Sequence, residues 1–345
     1  MSGGTTAPAP AQPRAEPRGA ARDARRCPRV VTIVGPTAVG KTGVALLVAA
    51  RLGGEIVSAD SRQIYRGMDI GTAKPTADEQ RAVGHHLIDI VDPSERYDAA
   101  RFAADAESVI TVLRASGIQP VVVGGTGFYL ASLFEGLFEC PEKDESVRAE
   151  MAARLARDGV PALREELARV DPESAARIHP NDAARIVRAL EVHVLTGRTL
   201  TEWHAGARRE AVYAPRYFGL SVPRRSLHQR IERRVDQMMA AGLLQEVDAL
   251  RTSGRLLPGM PGASAVGYRE LLALGSHDPG AVAAAVRSIK TSTRRYAKRQ
   301  MTWFRAIEGI EWLDVEALGT EGAAAEIVRR AAAEAGRSEP QPETP

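Results

Sequence analysis

With 345 residues, 44% of them hydrophobic, the chain has material for one large domain carrying an insertion, or for two ordinary domains. It holds no run of about 18 apolar residues, which excludes a membrane-spanning helix. A net charge of +3 names no partner by itself, and Cys27 and Cys140, without CxxC or Cys/His ligand spacing, imply neither a disulfide framework nor a zinc site, so a reducing, cytoplasmic setting is expected.

Residues 1–28 are mostly Ala, Pro, Gly and Arg, too poor in large apolar side chains to offset the entropy of ordering, and read as a disordered tail. A transit peptide is the alternative, opposed by the helix-breaking prolines and by Glu16 and Asp23. A strand is predicted over 30–34 and a helix over 41–52. Between them Gly35, Pro36, Thr37, Ala38, Val39, Gly40, Lys41 and Thr42 fit G-x-x-x-x-G-K-[ST]. Glycines at both ends let backbone N–H groups turn toward an anion. Lys41 adds a charge, Thr42 a hydroxyl for magnesium, and the helix start a favourable dipole. A phosphate or diphosphate belongs there; a Gly-rich turn that binds nothing is the bland alternative.

A second strand over 55–59 completes a β-α-β unit with parallel strands and puts Asp60 past a strand's carboxyl end, where ligands bind in open α/β sheets. Asp60 suits a general base, a magnesium ligand or a helix cap, and spacing does not choose among them. Residues 86–92 read as a short strand, 99–116 as a helix, and 120–123 as a strand running into Gly124-Gly125-Thr126-Gly127, which brings Thr126 to the same edge. A kinase or ATPase usually has an apolar strand ending in Asp. The best-formed run here ends in glycines and Thr126, leaving Asp89 or Asp92 as substitutes.

From 143 to 207 the pattern is helical, with turn signals at Asp158-Gly159, Asp171-Pro172, 179–182 and Thr196-Gly197, and reads as an insertion between a core of 29–142 and 208–336. A return strand is predicted at 217–222, helices at 226–253, 265–274 and 279–306, a last strand at 310–315 and an Ala-rich helix at 322–335; residues 337–345 form a second polar tail. Between Arg287 and Arg305 the chain carries Lys290, Arg294, Arg295, Lys298 and Arg299 and no acidic residue. Positions 287, 290, 294 and 298 share a helical face, where like charges cost a few tenths of a kcal/mol each, roughly. An anionic partner would offset this; a solvated face is the alternative.

Six segments together resemble the bacterial tRNA dimethylallyltransferases, also called tRNA isopentenylpyrophosphate transferases: GPTAVGKT at 35–42, DSRQIYRGMDIGTAKP at 60–75, GGTGFY at 124–129, NDAARIVRALE at 181–191, VGYRE at 266–270 and TRRYAKRQMTWFR at 293–305. The likeness spans about residues 29–315. It implies an α/β fold, a P-loop NTPase-like parallel sheet flanked by helices, with an all-helical insertion domain. It also implies transfer of a dimethylallyl group from dimethylallyl diphosphate to N6 of the adenine 3′ of the anticodon in tRNA, by a monomer using Mg²⁺. Asp60 would be the base, Lys41 and the rest of the loop would hold the leaving diphosphate, and Thr126 would help place the substrates. Arg148 would contact tRNA, as would Asp60, Ser61, Arg62 and Gln63; Ala184, Arg185, Ile186, Val187 and Arg188; Ser264, Ala265, Val266, Gly267, Tyr268 and Arg269; and Arg294 and Lys298. Arg230 and Arg234 match a family segment and suit either diphosphate binding or an ordinary helix surface. The chain departs from the pattern at Ser61-Arg62-Gln63, where Ser-Ala-Leu is common, and at the small Ala184. A metabolite kinase and a non-catalytic RNA-binding module are the competing readings.

Overall fold

The computed structural model describes residues 27–136, 144–206 and 210–335. Apart from residues 27 and 28 the expected tails lie outside these, as does Cys140. The described residues divide into two compact units, one within Gly136–Glu210 and one built from Cys27–Glu135 and the chain from Ala211 onward.

The larger unit begins with β1 (Arg29–Val34), α1 (Lys41–Leu52), β2 (Gly54–Ala59), α2 (Ala77–Ala82), β3 (His85–His86), α3 (Ala99–Ala115), β4 (Gln119–Gly124) and α4 (Gly127–Phe134). The smaller unit holds α5 (Glu145–Val170), α6 (Pro172–Arg177), α7 (Ala183–Thr196) and α8 (Leu200–Ala205). The larger then resumes with β5 (Ala214–Ser221), α9 (Arg224–Ala240), α10 (Leu243–Thr252), α11 (Tyr268–Leu272), α12 (Pro279–Arg305), β6 (Glu311–Asp314) and α13 (Val315–Ala335). Its strands form one sheet in the order β3-β2-β4-β1-β5-β6, every neighbouring pair parallel. The fold class is the expected one: α/β with a P-loop NTPase-like parallel sheet.

Parallel strands are covered on both faces, and β1 is buried at every position after its first for that reason, with Thr32 the one polar residue among them. Successive side chains alternate faces. Val30 and Val34 pack with Val57, Val122 and Phe102 on one side, while Val31 and Ile33 pack with Val121, Phe218 and Val48 on the other. Full burial of a Val or Ile side chain is worth roughly 1.5–3 kcal/mol, so β1 is the sheet's anchor. The order also sets the site: β4 lies between β2 and β1, so the turns leaving their carboxyl ends are neighbours.

Four expectations need correction. The strand over 86–92 shrinks to the His85–His86 pair on β2. Beyond it Leu87 and Asp89 adopt left-handed φ values of 62° and 54°, and the N–H groups of Asp89 and Ile90 donate to the carbonyls of Gln63 and Ile64 instead of to a strand. The helix over 226–253 is two, broken at Gly242, where φ is 99°. The 265–274 segment yields only the short α11, with a 3₁₀ turn at Gly262–Ser264 just before it. The last helix starts earlier, at Val315, and is interrupted at Gly319. Helices α2 and α4 have no counterpart in the sequence reading; α4 is apolar nearly all round and lacks the periodicity that marks a surface helix.

In the smaller unit no strand occurs among the described residues of 144–206. Helix α5 breaks at Gly159, the expected turn, before Pro161. Met151, Leu163 and Leu167 of α5 pack against Ile186 and Leu190 of α7. Buried Asp171 caps α6 through the Ser174 N–H (3.0 Å) and accepts from the Thr201 hydroxyl (2.6 Å) and N–H (3.0 Å), tying in α8.

Candidate active site

Three turns converge at the carboxyl edge of the sheet: 35–42 after β1, 60–63 after β2 and 124–127 after β4. The first wraps Lys41, whose ammonium donates to the carbonyls of Gly35 (2.9 Å) and Pro36 (3.0 Å). Helix α1 starts from Gly40, held at φ 109°, with no side chain capping it, so its first-turn N–H groups point into the loop as anion donors. Gly40 is required there because a Cβ is strained at that φ.

Burial lowers the Lys41 pKa from 10.5 to about 8; the charge of Asp60 works against this and that of Arg234 adds to it. Arg234 is itself held below its usual value by burial, partly offset by Asp60. Lys41, Asp60 and Arg234 therefore feel one another's charge. Because unfolded Lys41 keeps its proton up to about 10.5, burying it costs stability most fully below pH 8, and this cost fades between about 8 and 10.5. Such a cost is typical of a group held for a ligand. From the same helix as Arg234, Arg230 donates to the Val39 carbonyl (3.1 Å).

Asp60 uses Oδ1 to accept the Arg62 N–H (2.9 Å), closing its own turn. No hydrogen bond reaches its Oδ2 among the described residues. Thr126 Oγ1 accepts the Ser61 N–H (3.0 Å) and donates to the Ser61 hydroxyl (3.3 Å), joining the second turn to the third. Tyr296 of α12 closes the cluster. Burial raises its pKa to about 12, with Asp60 adding to the rise and a hydrogen bond to Thr126 opposing it.

Behind these turns the rest of the 60–75 segment is fastened. The Gln63 amide accepts from Ser58 (3.2 Å) and donates to the Ala73 carbonyl (3.1 Å), and Arg62 donates to Ser264 (3.0 Å). Buried Tyr268 donates to Glu246, whose carboxylate accepts the N–H groups of Asp69 (3.0 Å), Ile70 (2.8 Å) and Gly71 (3.3 Å). Asp89 pairs with Lys74, and Asp92 with Arg255 (3.2 Å), so both candidate magnesium carboxylates of the kinase reading are engaged in ion pairs.

The expected tRNA-contacting stretches divide by exposure. Ser264, Arg269, Ala184, Arg185 and Lys298 are exposed, and Val266, Val187 and Arg188 half-buried. Ala265, Gly267, Tyr268 and Ile186 are buried. In the smaller unit, Arg188 (3.4 Å) and Arg148 (3.9 Å) converge on Glu191, a carboxylate only 5% exposed. On α12, Lys290 pairs with Asp236 (2.7 Å) and Arg294 with Glu232 (2.6 Å), both on α9. The chain's own carboxylates thus meet two cations for which the sequence suggested an outside partner. Arg287, Arg295, Lys298, Arg299 and Arg305 remain exposed.

The sequence of residues 63–307 matches the model of a family described as IPP transferase, and residues 28–89 match one described as isopentenyl transferase. The chain belongs to the IPP transferase family. Relatives of this family member include a tRNA dimethylallyltransferase of Anaeromyxobacter dehalogenans, 48% identical over 84% of this chain and 97% of the relative. One from Halorhodospira halophila is 51% identical over 80% and 89%. A crystal structure of tRNA isopentenylpyrophosphate transferase from Bacillus halodurans superposes with a TM-score of 0.66 at 40% identity, covering 90% of this chain and 97% of that one. A eukaryotic dimethylallyltransferase captured acting on tRNA gives 0.75 at 27% identity, over 92% and 81%.

In this IPP transferase family member Arg230 reaches the phosphate loop and Arg234 feels the charges of Lys41 and Asp60, and they are joined at the same edge by Tyr296 and Gln300, whose spacing in the sequence marks no site. Gln300 accepts the Thr37 N–H (2.8 Å) of the phosphate loop. A glutamine on the apolar face of an otherwise basic amphipathic helix was the available signal.

Proposed function

We propose that the protein transfers a dimethylallyl group from dimethylallyl diphosphate to N6 of the adenine 3′ of the anticodon in tRNA. The observation that carries this reading is the union, at one sheet edge, of an anion loop around Lys41 with Asp60, a carboxylate that has an oxygen to spare. The donor's C1–O bond breaks as N6–C1 forms, diphosphate departs into the loop, and the N6 proton passes to Asp60. Loop N–H groups, Lys41 and Arg234 meet the charge that develops on the leaving oxygen. Thr126 holds the Asp60 turn in place.

The residues suit Mg²⁺ as a diphosphate companion. Among the described residues no cluster of three His, Cys, Asp or Glu side chains can hold a metal; the Thr42 hydroxyl of the loop would be a protein ligand beside the donor's own oxygens, a hard-oxygen set. When bound, the ion supplies positive charge to the departing diphosphate. The adenine must leave its stack to reach the donor, and an anticodon loop makes this cheap. The exposed cations of α12 provide phosphate contacts, as does Arg148 of the smaller unit, which stands 3.9 Å from Glu191 with its side chain 41% exposed. We place the enzyme in the cytoplasm, working as a monomer.

The deciding experiment is incubation with dimethylallyl diphosphate, Mg²⁺ and unmodified tRNA carrying that adenine, then mass spectrometry of the nucleosides. Prenylated adenosine at this position supports the reading; phosphorylation of a metabolite by ATP without prenyl transfer overturns it.

Two further outcomes are expected. Lys298→Ala weakens tRNA binding and lowers the slope of log K against log salt by about 0.7–0.9, the contribution of one phosphate contact. Lys290→Ala, whose ammonium already has Asp236, leaves the slope unchanged. Binding titrations at several salt concentrations check both. Donor binding requires protonated Lys41, so donor affinity falls by up to about tenfold per pH unit above pH 8, with proton uptake on binding. Calorimetry in buffers of different ionisation enthalpy measures that uptake, which Lys41→Met abolishes.

A further inference from the structure

We propose that Gln300 is a positioning residue for prenyl transfer, fixing the diphosphate loop relative to the turn that carries Thr126 and steadies Asp60. The inference rests on the functional reading above. Gln300 is 6% exposed, and both ends of its amide are used. Its Oε1 accepts the Thr37 N–H at 2.8 Å, and its Nε2 donates to the Gly125 carbonyl at 2.9 Å. One planar group must therefore offer an acceptor and a donor at this reach, and among side chains glutamine does so. Asparagine is a methylene short, glutamate has no donor when ionised, and methionine matches the volume with neither.

Gly125 shows how closely the amide is seated. A Cβ built there would lie 2.2 Å from Gln300 Nε2, so glycine is what lets the side chain lie against that backbone. From Gly125 one peptide leads to Thr126, whose Oγ1 holds the Ser61 N–H, and one more leads to Asp60. An unbroken run of bonds thus joins the loop holding the leaving group to the carboxylate receiving the proton. Gln300 bridges the turns after β1 and β4, and Thr126 links the latter to the turn after β2.

In the transfer, the leaving oxygen and the N6 proton must be placed at the same moment. Loosening the bridge leaves each substrate its own contacts but spoils their mutual alignment, which the transition state needs and the separate ground states do not. An error of about 1 Å can cost about 10²-fold in rate.

The test uses the full chain as wild type, Gln300→Met, Gln300→Glu, Gly125→Ala and the Gln300→Met/Gly125→Ala double variant. Initial rates are measured with each substrate varied, alongside thermal melts. Expected is a fall in kcat of about 30- to 100-fold for Gln300→Met, with both KM values within about threefold of wild type. Gln300→Glu gives no rescue, Gly125→Ala reproduces the pattern, and the double variant is no slower than the slower single one, since both act on one bridge. The inference is overturned by a Gln300→Met kcat within about twofold of wild type, by a loss confined to KM, or by multiplying effects in the double variant. If Gln300→Met does not fold, Gly125→Ala decides by the same kinetic criterion. A wild type that transfers no prenyl group sinks the functional reading and this inference with it; an active wild type beside an unimpaired variant sinks the inference alone.

Discussion

Asp60→Asn is expected to slow prenyl transfer by about 10²-fold or more while tRNA affinity stays within a few-fold. Asparagine keeps an oxygen for the Arg62 N–H, so the turn retains its closing bond at 2.9 Å and only the capacity to take a proton is removed. Adenine N6 is a weak nucleophile because its lone pair is delocalised into the ring, so losing the acceptor acts on the barrier rather than on binding. Single-turnover rates at saturating substrate, with tRNA binding measured separately, give the answer. Near wild-type turnover would remove Asp60 from the base role and leave it as a cap.

Lys41→Met should be comparably severe by a different route, with a loss of about 10²–10³ in kcat, the range for removing one preorganised donor to a developing oxyanion. The ammonium is already tethered by the Gly35 and Pro36 carbonyls at 2.9 and 3.0 Å, so it needs no reorganisation when charge builds on the leaving oxygen. Donor affinity falls as well, whereas tRNA affinity does not. Donor titration and pre-steady-state transfer separate the two effects. A variant that binds and reacts as wild type does would mean that the backbone N–H groups and Arg234 carry the diphosphate without Lys41.

Lys41, Asp60 and Thr126 were legible in the sequence because each sits within a few residues of an apolar strand's end, where a short motif fixes both the local backbone and its place at the sheet edge. Arg234 and Gln300 were not, although the same edge depends on them. They reach it from α9 and α12, and on a helix the spacing of an arginine that meets a phosphate loop is the same as that of one that meets water. The basic face of α12 illustrates the converse: charge counting along the segment missed Glu232 and Asp236, more than 50 residues earlier, which pair with Arg294 and Lys290. The strand expected over 86–92 failed because hydrophobic alternation there serves packing, while its backbone bonds are taken by the 63–66 turn and the Arg66 guanidinium.

The Gln300 bridge spans 263 residues to Thr37 and 175 to Gly125. At about 5–20 residues per second, a ribosome that has just made the Gly125 turn needs roughly 10–35 s to deliver the amide that secures it. Contacts this remote in sequence also close slowly once the chain is free. The phosphate loop and Asp60 are thus among the first parts synthesised, and the bonds that tie their turns together are among the last to be completed. A nascent or C-terminally truncated chain that stops short of Gln300 can hold Lys41, Asp60 and Thr126 and still lack the amide that ties Thr37 to Gly125.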